Sequence, residues 1–423
     1  MWLLNHILDR LIRRGELTVV GANGKRRTFG APDPDYGHLT LRLHDSGVAR
    51  AIVSNIGLGF TEAFMDGRLS IEGGDIRDFL YLIKRNNSFG TGRTIEGQGL
   101  KRRLTRMRAR LDRFNWKQRS ERNVAHHYDL SDDLYKLFLD EDWQYSCAYF
   151  EDGVTDLDTA QLAKKRHIAA KLALEPGHTV LDIGCGWGGM ALYLARTFDV
   201  RVKGITLSRE QLKVARRRAE EEGLADRVTF ELIDYRDVEG SFDRIVSVGM
   251  FEHVGPPHYA KFFRKCRNLL AQDGVMLIHT IGRMGGPGVT DSFTSKYIFP
   301  GGYIPALSEI VSASEREKLI MTDTETLRLH YAKTLKIWYD RTKAARDSIV
   351  ALYDERFYRM WTLYLAGAEM SFLTGGMCNY QVQYVRDRYA LPLTRDYLAE
   401  TEALLRSAES PTSQSPRVSA MGK

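Results

Sequence analysis

From Leu172 onward, short apolar runs alternate with stretches of helical spacing. HTVLDIG, VRVKGIT, RVTFELI, FDRIVSVG and GVMLIHTIG each read as a strand, with helices from Gly188, from Ser208 to Glu222 and from His258 to Ala271. Alternation of this kind argues an α/β fold, a doubly wound, mostly parallel sheet covered by helices on both faces. Past Gly282 the pattern breaks. Gly/Pro-rich loops (GRMGGPG, FPGGYIP) lead into aromatic-rich helical segments, and NYQVQYVR (379–386) reads as a last strand. Upstream, Trp2, Leu3, Leu4, Ile7, Leu8, Leu11 and Ile12 fall on one face of a helix, suited to packing on its own domain or to lying on a membrane surface. LTVV, LTLRLHD, ARAIVSN and LSIEG, parted by Gly, Asp and Asn, predict strands and turns with short helices, a small α+β domain.

Four regions follow: an N-terminal domain with a Gly-rich linker (1–99), a basic amphipathic connector (100–122), the large α/β domain (123–405) and a tail (406–423) without periodicity, expected to be disordered. The net charge of +7 is concentrated in the connector, where Lys101, Arg102, Arg103, Arg106, Arg108, Arg110, Arg113, Lys117, Arg119 and Arg122 face only Asp112 and Glu121. Such a strip implies an anionic partner: lipid head groups, nucleic acid or an acidic protein face. No apolar stretch is long enough to span a bilayer. Cys147, Cys185, Cys266 and Cys378 are too scattered for a zinc site or a disulfide framework, which predicts a reduced, cytoplasmic protein without a metal.

Candidate chemistry sits at the strand ends. LDIGCGWGG (181–189) is a strand, then a turn with Gly184, Gly186 and Gly188, then a helix, with Asp182 just ahead of the turn. Glycines there let backbone approach a ligand, and the helix N-terminus favours its polar groups. The turn resembles the first motif of S-adenosylmethionine-dependent methyltransferases of the doubly wound class. Where many of these carry an acidic residue for the ribose, the second strand ends GITLSREQ, with Thr206, Ser208 and Gln211; a neutral amide also bonds a diol. The third strand is followed by Asp234, Tyr235 and Arg236, and Tyr235 offers a flat face for adenine. GMFEHVG (249–255) sets Glu252 beside His253 at the mouth of a buried strand; His253 reads as a packing or capping residue.

AHHYDLSDDLYKLFLDEDWQYSCAYF (125–150), LDIGCGWGG, GITLSREQ, FDRIVSVGMFEHVG and LIHTIG, in that order, resemble the cyclopropane-fatty-acyl-phospholipid synthase family, which includes the mycolic-acid methyltransferases. The resemblance spans roughly Asn123 to Arg386. It implies methylene transfer from S-adenosylmethionine across the cis double bond of an unsaturated phospholipid chain, by way of a carbon cation deprotonated by bound bicarbonate. It further implies that Cys147, Glu252, His279 and Tyr331 grip the bicarbonate with the backbone of Ile281, and that Tyr145, Ser146, Gly184, Thr206, Gln211 and Tyr235 contact the cofactor, to which Asp182, Gly186, Gly188 and Arg236 are added from the motifs. It points to a homodimer bound peripherally to the inner face of a membrane, with lipid rather than nucleic acid as partner. Some members carry a cysteine near the position of Ala368, so a covalent cysteine is not expected here. Phe293, Tyr297, Phe299, Tyr303, Trp338, Tyr339, Tyr358, Trp361, Tyr364 and Phe372 suit the wall of an acyl channel or the core of a capping subdomain. The alternatives are a methyl-branched or hydroxylated acyl product, a small-molecule methyltransferase, and a non-catalytic lipid binder.

Overall fold

The computed structural model describes residues 2–89 and 130–409, in two compact units. The basic connector, the start of the 125–150 motif and most of the expected tail lie outside the described residues.

The first unit combines the N-terminal residues with Thr290–Pro300 and Tyr331–Met377. Its sheet holds β1 (Gly15–Val20), β2 (Arg26–Ala31), β3 (His38–Leu43) and β4 (Leu69–Glu72) in the order β2-β1-β3-β4. β1 runs parallel to β3, and the other pairs are antiparallel. ARAIVSN, expected as a strand, belongs instead to the helix Ser46–Ser54. Asp45 caps it by accepting from the Gly47 N–H, and Val48, Ala49 and Ile52 form a helical, not an alternating, apolar face. The first helix, Trp2–Leu11, buries Leu4 and Leu8 and leaves Trp2 and Leu3 exposed. The helix Ile76–Arg85 opens on a capping box of Asp75 and Asp78, and its Arg77 makes a two-pronged ion pair with the buried Glu369 (2.7 Å on each prong). The aromatic-rich helices His330–Ala344 and Glu355–Leu373 supply this unit's aromatic packing: Tyr331 meets Phe372 and Trp338 edge-on, and Trp361 packs on Tyr364 and Phe357.

The second unit is the doubly wound sheet. Its strands are β5 (Thr179–Ile183), β6 (Arg201–Thr206), β7 (Val228–Leu232), β8 (Phe242–Val248), β9 (Leu270–Arg283), β10 (Ile320–Leu327) and β11 (Met377–Val385). Their order is β10-β11-β9-β8-β5-β6-β7, with β5 to β9 parallel and β10 antiparallel to β11. Alternation along each strand divides its side chains between two cores. Leu181, Ile183, Ile245, Met276 and Ile278 face one, with Phe251, Phe262 and Phe263; Val180, Val202, Val246 and Leu277 face the other, with Met190, Leu192 and Phe198. Each fully buried side chain of this size contributes roughly 1.5–3 kcal/mol. β11 is the last strand in sequence but an interior one in space, because β10, a half-polar run, pairs on its outer side. The helix Asp396–Glu409 continues past Arg406, where disorder was expected to begin: Glu409 pairs with the buried Arg166 and accepts the Tyr193 hydroxyl, which holds the last turn.

Candidate functional site

Strand order reverses around β5, which has β6 on one side and β8 on the other. At such a switch point the following loops part and leave a crevice beyond the strand ends. Here the crevice is a cleft with an empty volume of about 1200 Å³, part of it open solvent, between the turn after β5, the ends of β6 to β8 and the segment 143–146.

Tyr145, Ser146, Asp182, Gly184, Gly186, Thr206, Gln211, Tyr235 and Arg236 all line this cleft. Gly184 and Gly186 have positive φ, and a Cβ on Gly186 would meet nothing within 4 Å, so the turn presents bare backbone to the cleft. Gly188 does not line it. Its φ is +87°, and a Cβ there would sit 2.7 Å from Phe230 Cζ, so this glycine serves the packing of helix Gly189–Thr197 on the sheet. The Thr206 hydroxyl donates to Gln211 Oε1 at 3.0 Å, both groups buried, where an acidic residue was sought. Asp234 is gripped by the Arg236 guanidinium through two bonds of 2.7 and 2.6 Å. Burial lifts the Asp182 carboxyl to about 7, against the opposing pull of the Lys164 cation, and its Oδ2 has no hydrogen-bond partner.

Cys147, Glu252, His279 and Ile281 are not on the lining of this cleft, though the chain neighbours Ser146 and His253 are. Glu252 stands in the short 3₁₀ turn Phe251–His253 after β8 and is buried. Its Oε1 accepts from the Ile281 N–H at 2.6 Å; its Oε2 has no partner. Burial pushes its carboxyl up to about 7. His279, on β9 next to β8, is buried and driven down to about 3 by desolvation, so its ring is neutral. Asn379 and Gln381 on β11 bring their amides to its two nitrogens, at 3.4 and 3.2 Å. Both amides present their nitrogen to the ring, and a neutral imidazole has a single acceptor, so one of the two donates to it. Cys147 is buried, its thiol pushed up by desolvation and, further, by nearby Cys378; it donates weakly to the Ala148 carbonyl. Tyr331 belongs to the first unit, where it is buried against Phe372 and Trp338. Of the expected aromatic wall, Tyr303 alone belongs to the second unit, its hydroxyl donating to Glu309.

Several site residues had no signal of their own. His253, expected only to pack or cap, lines the cleft and is held neutral by burial, its ring lowered to about 4. Trp143, Gln144, Trp187, Met250 and His258 also line the cleft, and Asn379 and Gln381 reach His279. The polar faces of NYQVQYV were the one available hint, since a fully buried strand has no solvent to satisfy Asn and Gln. Among the described residues no helix is long and apolar enough to cross a membrane.

Residues 115–382 match the mycolic acid cyclopropane synthetase family. A probable fatty acid methyltransferase of Pseudomonas putida is 42% identical over 64% of this chain and 72% of its own length. The cyclopropane-fatty-acyl-phospholipid synthase of Escherichia coli K12 is 40% identical over 82% of this chain and 87% of its own. Among solved structures, the mycolic acid cyclopropane synthase CmaA1 complexed with SAH and CTAB superposes with a TM-score of 0.60 at 36% identity, covering 62% of this chain and 97% of that one. The doubly wound sheet is thus the class I methyltransferase fold. The chain belongs to the mycolic acid cyclopropane synthetase family of S-adenosylmethionine-dependent methyltransferases.

Proposed function

We propose that this chain is a lipid cyclopropane synthase, bridging the cis double bond of an unsaturated phospholipid chain with a methylene group. The observation that carries the reading is Glu252: a buried carboxylate with one oxygen tied to the Ile281 N–H and the other without a partner, beside a methyltransferase cleft. S-adenosylmethionine, when bound, supplies an electrophilic methyl group. The bare turn at Gly184 and Gly186, the buried Thr206–Gln211 pair and the face of Tyr235 fit it and would hold it. Bicarbonate, when bound, supplies a base small enough for an enclosed site. Glu252 Oε2 suits it, because an ionised carboxylate accepts the O–H of a small acid anion and leaves that anion's other oxygens free.

An isolated alkene is a weak nucleophile, so methylation leaves a carbon cation on the acyl chain. A proton must then leave the new methyl, its C–H electron pair closing the ring. The residues' task is to keep water from the cation. Burial of Cys147, His279 and Glu252 serves it, and the neutral His279 adds no repelling charge. In this reading the protein works as a peripheral homodimer at the cytoplasmic face of a membrane; the exposed Trp2 and Leu3 support a lipid contact.

The test is the full chain with S-adenosylmethionine and vesicles of cis-unsaturated or saturated phospholipid, with products read by mass spectrometry before and after ozonolysis. A product heavier by one CH₂ that resists ozonolysis, from unsaturated vesicles only, is expected. Equal cofactor consumption on both vesicles ends the reading. A methylated product still cleaved at an alkene selects methyl transfer without ring closure, the outcome favoured by likeness to the probable fatty acid methyltransferase.

A further inference from the structure

The helix Leu157–Leu172 is buried along most of its length, yet it carries polar residues into the core. Two of them, Gln161 and Lys164, stand three residues apart and so share a face. Both address one short segment. Gln161 Nε2 donates to the carbonyls of Gln144 (3.1 Å) and Ser146 (3.0 Å). Lys164 Nζ donates to the side chains of the same residues, Gln144 Oε1 (2.5 Å) and Ser146 Oγ (2.9 Å). Backbone and side chain of residues 144 and 146 are thus fixed from one helix face, leaving Tyr145 between the two held points. Gln144, Tyr145 and Ser146 line the cleft, and Cys147 follows directly.

Stability does not explain this arrangement. A fully buried ammonium is expensive, and an apolar side chain of equal size is often the more stable choice. Burial draws Lys164 down to about 8, opposed by Asp140 and Asp142 and reinforced by Lys165. Cys147 and Asp182 also face it, and its charge helps keep His279 neutral. The segment is strained where it begins. Trp143 has φ +57°, a conformation a non-glycine residue keeps only when its surroundings over-determine it. The Asp140 carboxylate contributes by accepting from the Gln144 N–H at 2.9 Å.

We propose that Gln161 and Lys164 are positioning residues that hold the Gln144–Ser146 segment as a preformed wall of the cofactor cleft. The inference rests on the reading of that cleft as the S-adenosylmethionine site. With the wall fixed before the ligand arrives, binding does not bear the cost of ordering it. Loss of either residue therefore weakens cofactor binding and leaves the chemistry of bound substrate largely intact.

The experiment uses full-length Lys164→Met and Gln161→Met, with calorimetric titration of S-adenosylhomocysteine, thermal melting, and kcat and KM for S-adenosylmethionine. Dissociation constants raised about tenfold or more, and a raised KM with kcat changed less than about threefold, are expected. Folded variants that bind as the wild type does, whatever their melting temperature, overturn the proposal and leave the cofactor reading standing. If the wild type itself does not bind S-adenosylhomocysteine, both fall. Should Lys164→Met fail to fold, Gln161→Met, which keeps the ammonium and removes only neutral hydrogen bonds, decides by the same numbers.

Discussion

The Glu252 carboxylate and the Ile281 N–H meet at 2.6 Å, joining the turn after β8 to the neighbouring strand β9. One oxygen is thereby fixed and the other left buried without a partner, which makes Glu252 both a structural tie and a chemical group in waiting. Its replacement by glutamine keeps the shape and an acceptor for Ile281 but removes the charge.

Glu252→Gln is expected to lower turnover on unsaturated vesicles by on the order of 10²–10⁴-fold. Affinity for S-adenosylhomocysteine should stay within about threefold of the wild type, since Glu252 is not among the residues lining the cleft. Lipid mass spectrometry and calorimetry on the same preparation read the two effects; unchanged turnover removes Glu252 from the chemistry.

The pH dependence of stability has a definite sign. Glu252 is raised from 4.5 to about 7 in the folded chain, and Asp182 from 3.8 to about 7. A carboxyl raised on folding binds more protons in the folded state, so its contribution is whole below the unfolded value and is lost as pH rises toward 7. Each such group costs up to about 1.4 kcal/mol per pH unit across that window. Glu252→Gln should therefore gain stability relative to the wild type between pH 4.5 and 7.5, as read by urea denaturation. A constant difference between the two proteins contradicts the shift. His279 and His253, lowered on folding, act oppositely below 6.5 in both proteins and cancel in the comparison.

Two glycines of the turn should fail differently. Gly186→Ala meets open space, so its cost is the left-handed backbone alone, about 1–2 kcal/mol, while the added methyl projects where ligand is expected. Gly188→Ala has the same backbone penalty and also drives a methyl against Phe230. Melting curves and cofactor titrations should show binding lost more than stability in the first, and stability lost more than binding in the second.

In the first unit, Arg77→Met strands the Glu369 carboxylate, whose side chain is only 3% exposed and whose acidity burial already weakens. Removing one partner of such a pair costs about 3–5 kcal/mol, toward the lower end here because Arg77 is itself partly exposed. Denaturant unfolding measures it, and Arg77→Met/Glu369→Met should recover part of the loss.

Much of the fold was legible because its signals are local. The runs from HTVLDIG to GVMLIHTIG became β5 to β9, and the helix expected from Ser208 is there, with Ser208 as its cap accepting from the Gln211 N–H. What failed was also local in cause. ARAIVSN is β-branched enough to read as a strand until Asp45 is recognised as a cap, and β10 escaped because TDTET has no apolar run.

The chain's own pattern determined the class of sheet, the cofactor turn and part of the cleft lining, since periodicity and glycine act within a few positions of each other. Only the tertiary structure decided that β11 lies inside the sheet, that Ile281 donates to Glu252, that Asn379 and Gln381 flank His279, and that Gln161 and Lys164 hold the segment before Cys147. Those pairings join residues from 15 to 102 positions apart. Burial then sets their protonation, through a loss of water that no single stretch of sequence encodes.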